Sequence, residues 1–205
     1  MEKELTTKEK IVYESLKLFS KKGYTGVSMR EIATAVGIKG ASIYNHFKGK
    51  QEVFEAIFEE MTKQYAQIAD FMNIPINDDI EAAEIYKEMD TNGLLKIAEG
   101  LFVFFTQNEF AVMFRGLLVS EQSKSEYALQ CLKEYYIDGP LMFQKNVFIG
   151  MQERGAFVKY DAEVLALHFY SPIYYVLSRF DAGHSYEECL KMIKNHVEGF
   201  CRIYK

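Results

Sequence analysis

One stretch constrains this chain more than any other: residues 27–47, Val-Ser-Met-Arg-Glu-Ile-Ala-Thr-Ala-Val-Gly-Ile-Lys-Gly-Ala-Ser-Ile-Tyr-Asn-His-Phe. It opens on Ser28-x-x-Glu31, a capping box in which each side chain satisfies the other residue's orphan backbone donor. Two short helices can cross tightly after such a start only under specific demands. The first must present a small residue to the second, here Ala33, and the turn must tolerate a left-handed backbone, here Gly37. Apolar plugs must flank the crossing, and Ile32, Val36, Ile38, Ile43 and Phe47 supply them. Ala33, Gly37 and Ile43 stand at i, i+4 and i+10, the spacing of a helix-turn-helix, whose second helix lays its N-terminal residues against base edges in the major groove.

The rest of the chain also reads as helix, so the expected fold class is all-α, a three-helix head followed by a larger helical body. Further capping boxes are expected at Thr6–Glu9, Ser123–Glu126 and Ser185–Glu188, each opening an apolar pattern at spacings of three and four. No run of strict two-residue alternation bounded by turn residues suggests a strand. A long helix is expected from Lys50 to about Met72, then a loop over 73–79. Helices follow at about 80–89, 90–107, 108–121 and 124–154, the last interrupted at Asp138-Gly139-Pro140, and two long ones close the chain at 161–181 and 185–204.

These residues carry a family resemblance. Ile11-x-x-x-Ser-Leu-x-Leu-Phe-x-x-x-Gly-Tyr24, Ser-Met-Arg-Glu-Ile-Ala-x-x-x-Gly-Ile38 and Ser-Ile-Tyr-x-His-Phe-x-x-Lys50 together resemble the TetR family of bacterial transcriptional regulators, over residues 6–60. The resemblance implies a DNA-binding head in residues 1–50 and an effector-binding, dimerising body in residues 51–205. It implies a homodimer joined through the last two helices and a palindromic double-stranded operator. Two positions depart from the family pattern: Lys39 replaces a common capping Ser or Thr, and Ala41 replaces a common Gly.

Charge agrees with such a division. Residues 1–50 hold ten Lys and Arg against five Glu, a net +5, whereas the remaining residues hold 14 basic against 24 acidic side chains, a net -10. A basic head on an acidic body suits a nucleic-acid-binding module fused to something else. Within the head, Ser28 can donate to phosphate at a helix N-terminus. Tyr44 and His46, by resemblance, contact backbone phosphates, and Lys48 and Lys50 are expected to join them. Base reading falls to Lys39, Gly40, Ser42 and Asn45, since lysine suits the acceptors of guanine, asparagine pairs with adenine, and glycine permits close approach.

The body has two tasks in this reading. Helix 161–181 is apolar nearly all round, which a subunit interface explains. Of the chain's 30 aromatic residues, 25 lie beyond residue 50, so a pocket for an apolar, aromatic or cationic small molecule is expected there. Its candidate lining is Phe102, Phe105, Phe114, Arg115, Tyr136 and His168, although aromatic stripes at helical spacing also build ordinary core. Arg115 either snorkels or anchors an anionic group, and His168 reads as a satisfied core or interface histidine.

Other function classes find little support. No phosphate-binding loop, G-x-S-x-G, H-E-x-x-H or dinucleotide glycine pattern occurs, so an enzyme is not expected. Cys131, Cys189 and Cys201 are too scattered for a disulfide framework, and Cys189 and Cys201 fall about 120° apart around one helix. No Cys/His cluster has metal spacing, and no cofactor is implied. The N-terminus lacks a secretion signal's apolar core, and the run Val164–Leu177 is too short to span a bilayer, so a cytoplasmic protein is expected.

Overall fold

The computed structural model of this chain describes residues 5–75 and 78–205, so two positions of the expected loop over 73–79 lie outside the described residues. Helices account for the regular structure, and no strand occurs among the described residues. Their order is α1 (Thr7–Lys22), α2 (Met29–Val36), a short 3-10 turn (Ser42–Asn45), α3 (Lys50–Phe71), α4 (Asp79–Glu88), α5 (Thr91–Gln107), α6 (Glu109–Glu121) and α7 (Glu126–Leu132). A π turn (Lys133–Ile137) then leads into α8 (Asp138–Glu153), followed by α9 (Ala162–Asp181) and α10 (Tyr186–Tyr204).

The expected capping boxes form at Thr6–Glu9 and Ser28–Glu31, and Ser185 accepts a hydrogen bond from the Glu188 amide. The third differs. Ser125 rather than Ser123 opens α7, its hydroxyl accepting from the Ala128 amide at 3.2 Å. Residues 122–124 instead remain in a turn, where the Lys124 and Ser125 amides both bond the Glu121 carbonyl.

Asp138-Gly139-Pro140 does not break the path as expected. Pro140 sits in the first turn of α8, a position where proline is tolerated. The irregularity falls just upstream, in the π turn. A Cβ on Gly139 would lie 2.0 Å from the Glu134 carbonyl oxygen, so this wide turn can close only over glycine. Pro172 lies inside α9, which continues through it to Asp181.

The chain packs as two compact units. The first comprises Met1–Tyr65 and Glu109–Leu129, the second Ala66–Asn108 and Gln130–Lys205. This division by packing is a different quantity from a division of labour at residue 50. In the first unit, α6 lies against α1, and the Tyr13 hydroxyl donates to the Glu109 carboxylate. That bond, burial and the carboxylate's charge push the Tyr13 phenol up to about 12. The unit's core is an aromatic chain, Phe19 to Phe54 at 6.1 Å, Phe54 to Phe58 at 5.1 Å and Phe58 to Phe114 at 5.0 Å, with offset or edge-on geometries that aromatic quadrupoles favour.

In the second unit, α8 packs on α4 and α9, and α10 packs on α5 and α9. Phe148, Phe157, Phe169 and Phe200 form its aromatic centre, with centroids 5.0 to 5.9 Å apart. Arg154 ties α8 to α4 through Glu84 at 2.6 Å, and Lys194 pairs with Glu99 at 3.0 Å. No single helix among the described residues is long and apolar enough to cross a membrane.

Candidate nucleic-acid interface

The head is assembled around one tight corner. Helix α2 ends in a Schellman motif: the Ile38 amide donates to the Ala33 carbonyl at 2.9 Å and the Gly37 amide to Thr34 at 3.1 Å, with Gly37 left-handed at φ 80°. That geometry turns the chain sharply enough for the next segment to lie across α2, as the Ala33–Gly37–Ile43 spacing predicts. Ile32, Ala33, Ile43 and Phe47 are buried, while Val36 and Ile38 are half-buried at the margin.

The second element of the motif is shorter than a full helix. It is a four-residue 3-10 turn, Ser42–Asn45, with no side-chain cap at its start. Its footing comes from backbone bonds, Ser42 N–H to Lys39 C=O at 2.8 Å and the His46 and Phe47 amides to Ile43 C=O at 3.0 and 3.1 Å. With so few bonds of its own, the turn keeps its place through two inward side chains, Ile43 and Phe47. Most of the residues around them are left to solvent. Lys39, Gly40, Tyr44, Asn45, His46 and Lys48 are exposed and Ser42 is half-buried. Tyr44 leaves 56% of its surface in solvent.

Two expected phosphate ligands are engaged locally. Ser28 completes its capping box, donating its hydroxyl to Glu31 at 2.9 Å while accepting from the Glu31 amide. Glu31 also receives Lys22 at 2.9 Å. The Lys22 ammonium first, then the Ser28 amide and hydroxyl, hold the Glu31 carboxyl down at about 2. Lys50 turns inward: its ammonium donates to the Tyr24 carbonyl at 2.6 Å and the Val27 carbonyl at 2.8 Å, and lies 4.4 Å from the Tyr24 ring centre. Lys48 stays almost wholly in solvent, 3.8 Å from Glu52.

Sequence reasoning missed Arg30. It is exposed on α2, and its Cγ would lie 3.9 Å from a Cβ at Gly40, so the guanidinium stem borders the recognition turn. Arg30 lies two positions after the Ser28 cap, so the reading of the turn residues alone passed over it.

The candidate effector residues divide between the units. Phe114 and Arg115 belong to the first and are buried, so Arg115 does not snorkel. Phe102, Phe105, Tyr136 and His168 belong to the second. There Phe102 stacks on Tyr186 at 5.7 Å, and Phe105 meets Tyr136 edge-on at 5.5 Å. His168 is exposed rather than part of the core, its Nδ1 2.6 Å from the Tyr204 hydroxyl. It faces an open groove of about 640 Å³ between α9 and α10, beside Leu167, Pro172, Gly199 and Ile203.

Comparison with known proteins gives this geometry its place. Residues 11–57 match the family model described as bacterial regulatory proteins, tetR family. Over 48 residues the chain is 46% identical to the biofilm operon icaADBC HTH-type negative transcriptional regulator IcaR of Staphylococcus aureus, covering 23% of this chain and 26% of that protein. The IcaR of Staphylococcus epidermidis is 40% identical over 52 residues, 25% of this chain and 28% of its own length. The matched region is thus only about a quarter of these relatives.

Solved structures share the whole fold. A TetR-family regulator structure from Mesorhizobium loti superposes with TM-score 0.69 at 21% identity, covering 97% of this chain and 96% of that one. The fatty acid degradation regulator FadR of Bacillus halodurans gives 0.66 at 14% identity, with 98% and 97% covered. A transcriptional regulator from Saccharomonospora viridis in complex with choline gives 0.64 at 18% identity, with 95% of each chain covered. Residues 11–57 are thus similar to the bacterial regulatory proteins of the tetR family, and the full length shares the all-α fold of these solved structures.

Proposed function

We propose that this chain is a homodimeric repressor that grips a palindromic operator with two helix-turn-helix heads and lets go when its body binds a small molecule. The observation that carries the reading is the recognition turn, where Ile43 and Phe47 hold the backbone while Lys39, Tyr44, Asn45 and His46 are left to solvent. Repression is favoured by the head's similarity to IcaR, which is a negative regulator.

In this reading residues 1–50 bind DNA and 51–205 dimerise and sense. Lys39, Gly40, Ser42 and Asn45 read base edges, with Arg30 beside them. Ser28, Tyr44, His46 and Lys48 meet phosphates, which position the head without specifying sequence. Two heads on one two-fold axis then select half-sites about 34–36 Å apart. The second copy docks on α9 and α10, where Leu167 and Ile203 are exposed apolar side chains lining the open groove and Tyr175 is a further exposed one on α9.

Effector binding favours a body conformation that shifts α3 and so the spacing of the heads, a coupling of about 1–3 kcal/mol. The effector class is apolar, aromatic or cationic, consistent with the body's net charge and with choline in a protein of the same fold. Phe102, Phe105, Tyr136 and exposed His168 of the second unit are its candidate contacts, while the other two expected contacts, Phe114 and Arg115, are buried within the first unit. The protein acts in the cytoplasm and needs no cofactor or catalytic group.

The test is selection of bound genomic fragments by the purified protein, followed by footprinting. A palindromic footprint with half-sites one helical turn apart, lost in Ile203→Glu together with the dimer by sedimentation, is the expected result. Selection of no common sequence, or protection by an Ile203→Glu monomer equal to wild type, would overturn it.

A further inference from the structure

Two of the chain's four histidines, His168 on α9 and His196 on α10, line the open groove between these helices. His196 is half-buried, and its Nε2 lies 2.7 Å from the Phe169 carbonyl oxygen. A carbonyl only accepts, so Nε2 holds the proton and the lone pair sits on Nδ1, where a second proton would add. Burial holds this imidazole below the ordinary histidine value, outweighing the Phe169 carbonyl, which raises it. His168 is exposed, and its Nδ1 shares a hydrogen bond with the Tyr204 hydroxyl. Gly199, in the same lining, has nothing within 4 Å of where a Cβ would stand, so an approaching helix can come close.

The surroundings offer an imidazolium no counter-charge. Among the described residues, no carboxylate lines the groove. The residues three and four positions either side of each histidine, its neighbours on the helix surface, are all uncharged. On the elements packed around the groove, Glu99 of α5 pairs with Lys194 at 3.0 Å and Glu163 of α9 with Lys145 of α8 at 2.8 Å. Arg179 of α9 bonds His184 at 3.0 Å, while Glu198 and Arg202 of α10 are exposed and outside the lining.

We infer that association of two copies through this groove is proton-linked: the dimer holds His168 and His196 neutral, and acid drives it apart. The inference rests on the reading that the second copy docks on α9 and α10. A two-fold interface is isologous, so the second copy brings the same face, two more histidines and again no lining carboxylate. Sealing the groove removes the water that solvates an imidazolium, whereas a neutral ring can stay. The separated protomers therefore bind more protons than the dimer. By linkage the dimer is at full strength above the histidine range and weakens as pH falls through it. Operator affinity, which needs both heads, falls with it.

Sedimentation of the full chain without DNA, between about pH 8 and about pH 5.5, tests this, with circular dichroism confirming that the fold persists. The dimer dissociation constant is expected to be flat at the upper end and then to rise. Each imidazole kept from protonation contributes about tenfold per pH unit, so one histidine in each copy gives about a hundredfold. His168→Gln/His196→Gln is expected to dimerise equally at every pH in this range, while His184→Gln keeps the wild-type slope. If the double variant fails to fold, His196→Gln alone is read in the same way, its slope cut by about two protons per dimer.

A wild-type constant that stays flat would overturn the inference. So would one that tightens in acid, as it would if a carboxylate from across the interface met the imidazolium, or a slope that survives in the double variant. Failure of the docking reading looks different. A protein monomeric even at about pH 8, or a dimer that Ile203→Glu leaves intact, would remove the interface itself and the proton link with it.

Discussion

Ile43 offers the sharpest test of how the recognition turn is held. The turn has four residues and no side-chain cap, and Ile43 is its fully buried member. Ile43→Ala removes three buried carbons, about 2.4 kcal/mol at about 0.8 kcal/mol per methylene. The cavity left behind brings the cost into the range of about 2–5 kcal/mol, because the turn has no neighbouring residue of its own to collapse into the gap. At about 1.4 kcal/mol per tenfold, local opening should become about 1.4 to 3.6 powers of ten more frequent, up to the limit set by global unfolding.

Amide exchange at His46 and Phe47 reads this directly, because both amides donate to the Ile43 carbonyl. Ile43→Val should give a smaller step, about 0.5–1.5 kcal/mol. Helicity by circular dichroism should barely change, while operator affinity falls with the population of the docked turn. Unchanged exchange at these two amides in Ile43→Ala would refute the reasoning, since it would mean that backbone bonds alone hold the turn.

Three further expectations follow from the structure. Ser28→Ala removes the α2 cap and should cost about 1 kcal/mol, read as a shift in urea midpoint at unchanged slope. Glu31 is depressed to about 2 against an ordinary 4.5, so the stability it contributes is complete above pH 4.5 and is lost as pH falls toward 2; a carboxyl NMR titration midpoint near 4.5 would contradict the Lys22–Ser28–Glu31 arrangement. Gly139→Ala meets the Glu134 carbonyl at 2.0 Å and should force the π turn open, lowering the melting temperature by several degrees, whereas a neutral result would show that the turn relaxes freely.

What the sequence made legible was chemistry that acts between near neighbours. Thr6 with Glu9 and Ser28 with Glu31 are caps because three residues separate acceptor and donor, and the structure forms both. The corner at Ala33 and Gly37 is legible for the same reason, since a Schellman turn is closed within six residues. Ser123 misled because Ser125 competes two positions later, and capping potential alone does not choose between them.

Long-range choices stayed hidden. Periodicity marks the apolar face of α6 but not its partner, so its packing against α1 had no local signal. The inward turn of Lys50 depends on two carbonyls 26 and 23 residues earlier, which converge only once the α1–α2 corner has formed. Of the candidate site, the exposed residues from Lys39 to Lys48 were legible because their inward counterparts, Ile43 and Phe47, were. Arg30 was not, because its position beside Gly40 follows from how α2 lies over the turn.

The central claim is that this head reads DNA through the outward face of the recognition turn. Titrating the purified protein against the DNA upstream of its own gene at increasing salt tests it most directly. The account predicts saturable, sequence-specific binding with a steep salt slope, abolished in Lys39→Ala/Tyr44→Ala while the fold is retained. Binding that is equal on any duplex of the same length, or that survives both substitutions, would contradict it.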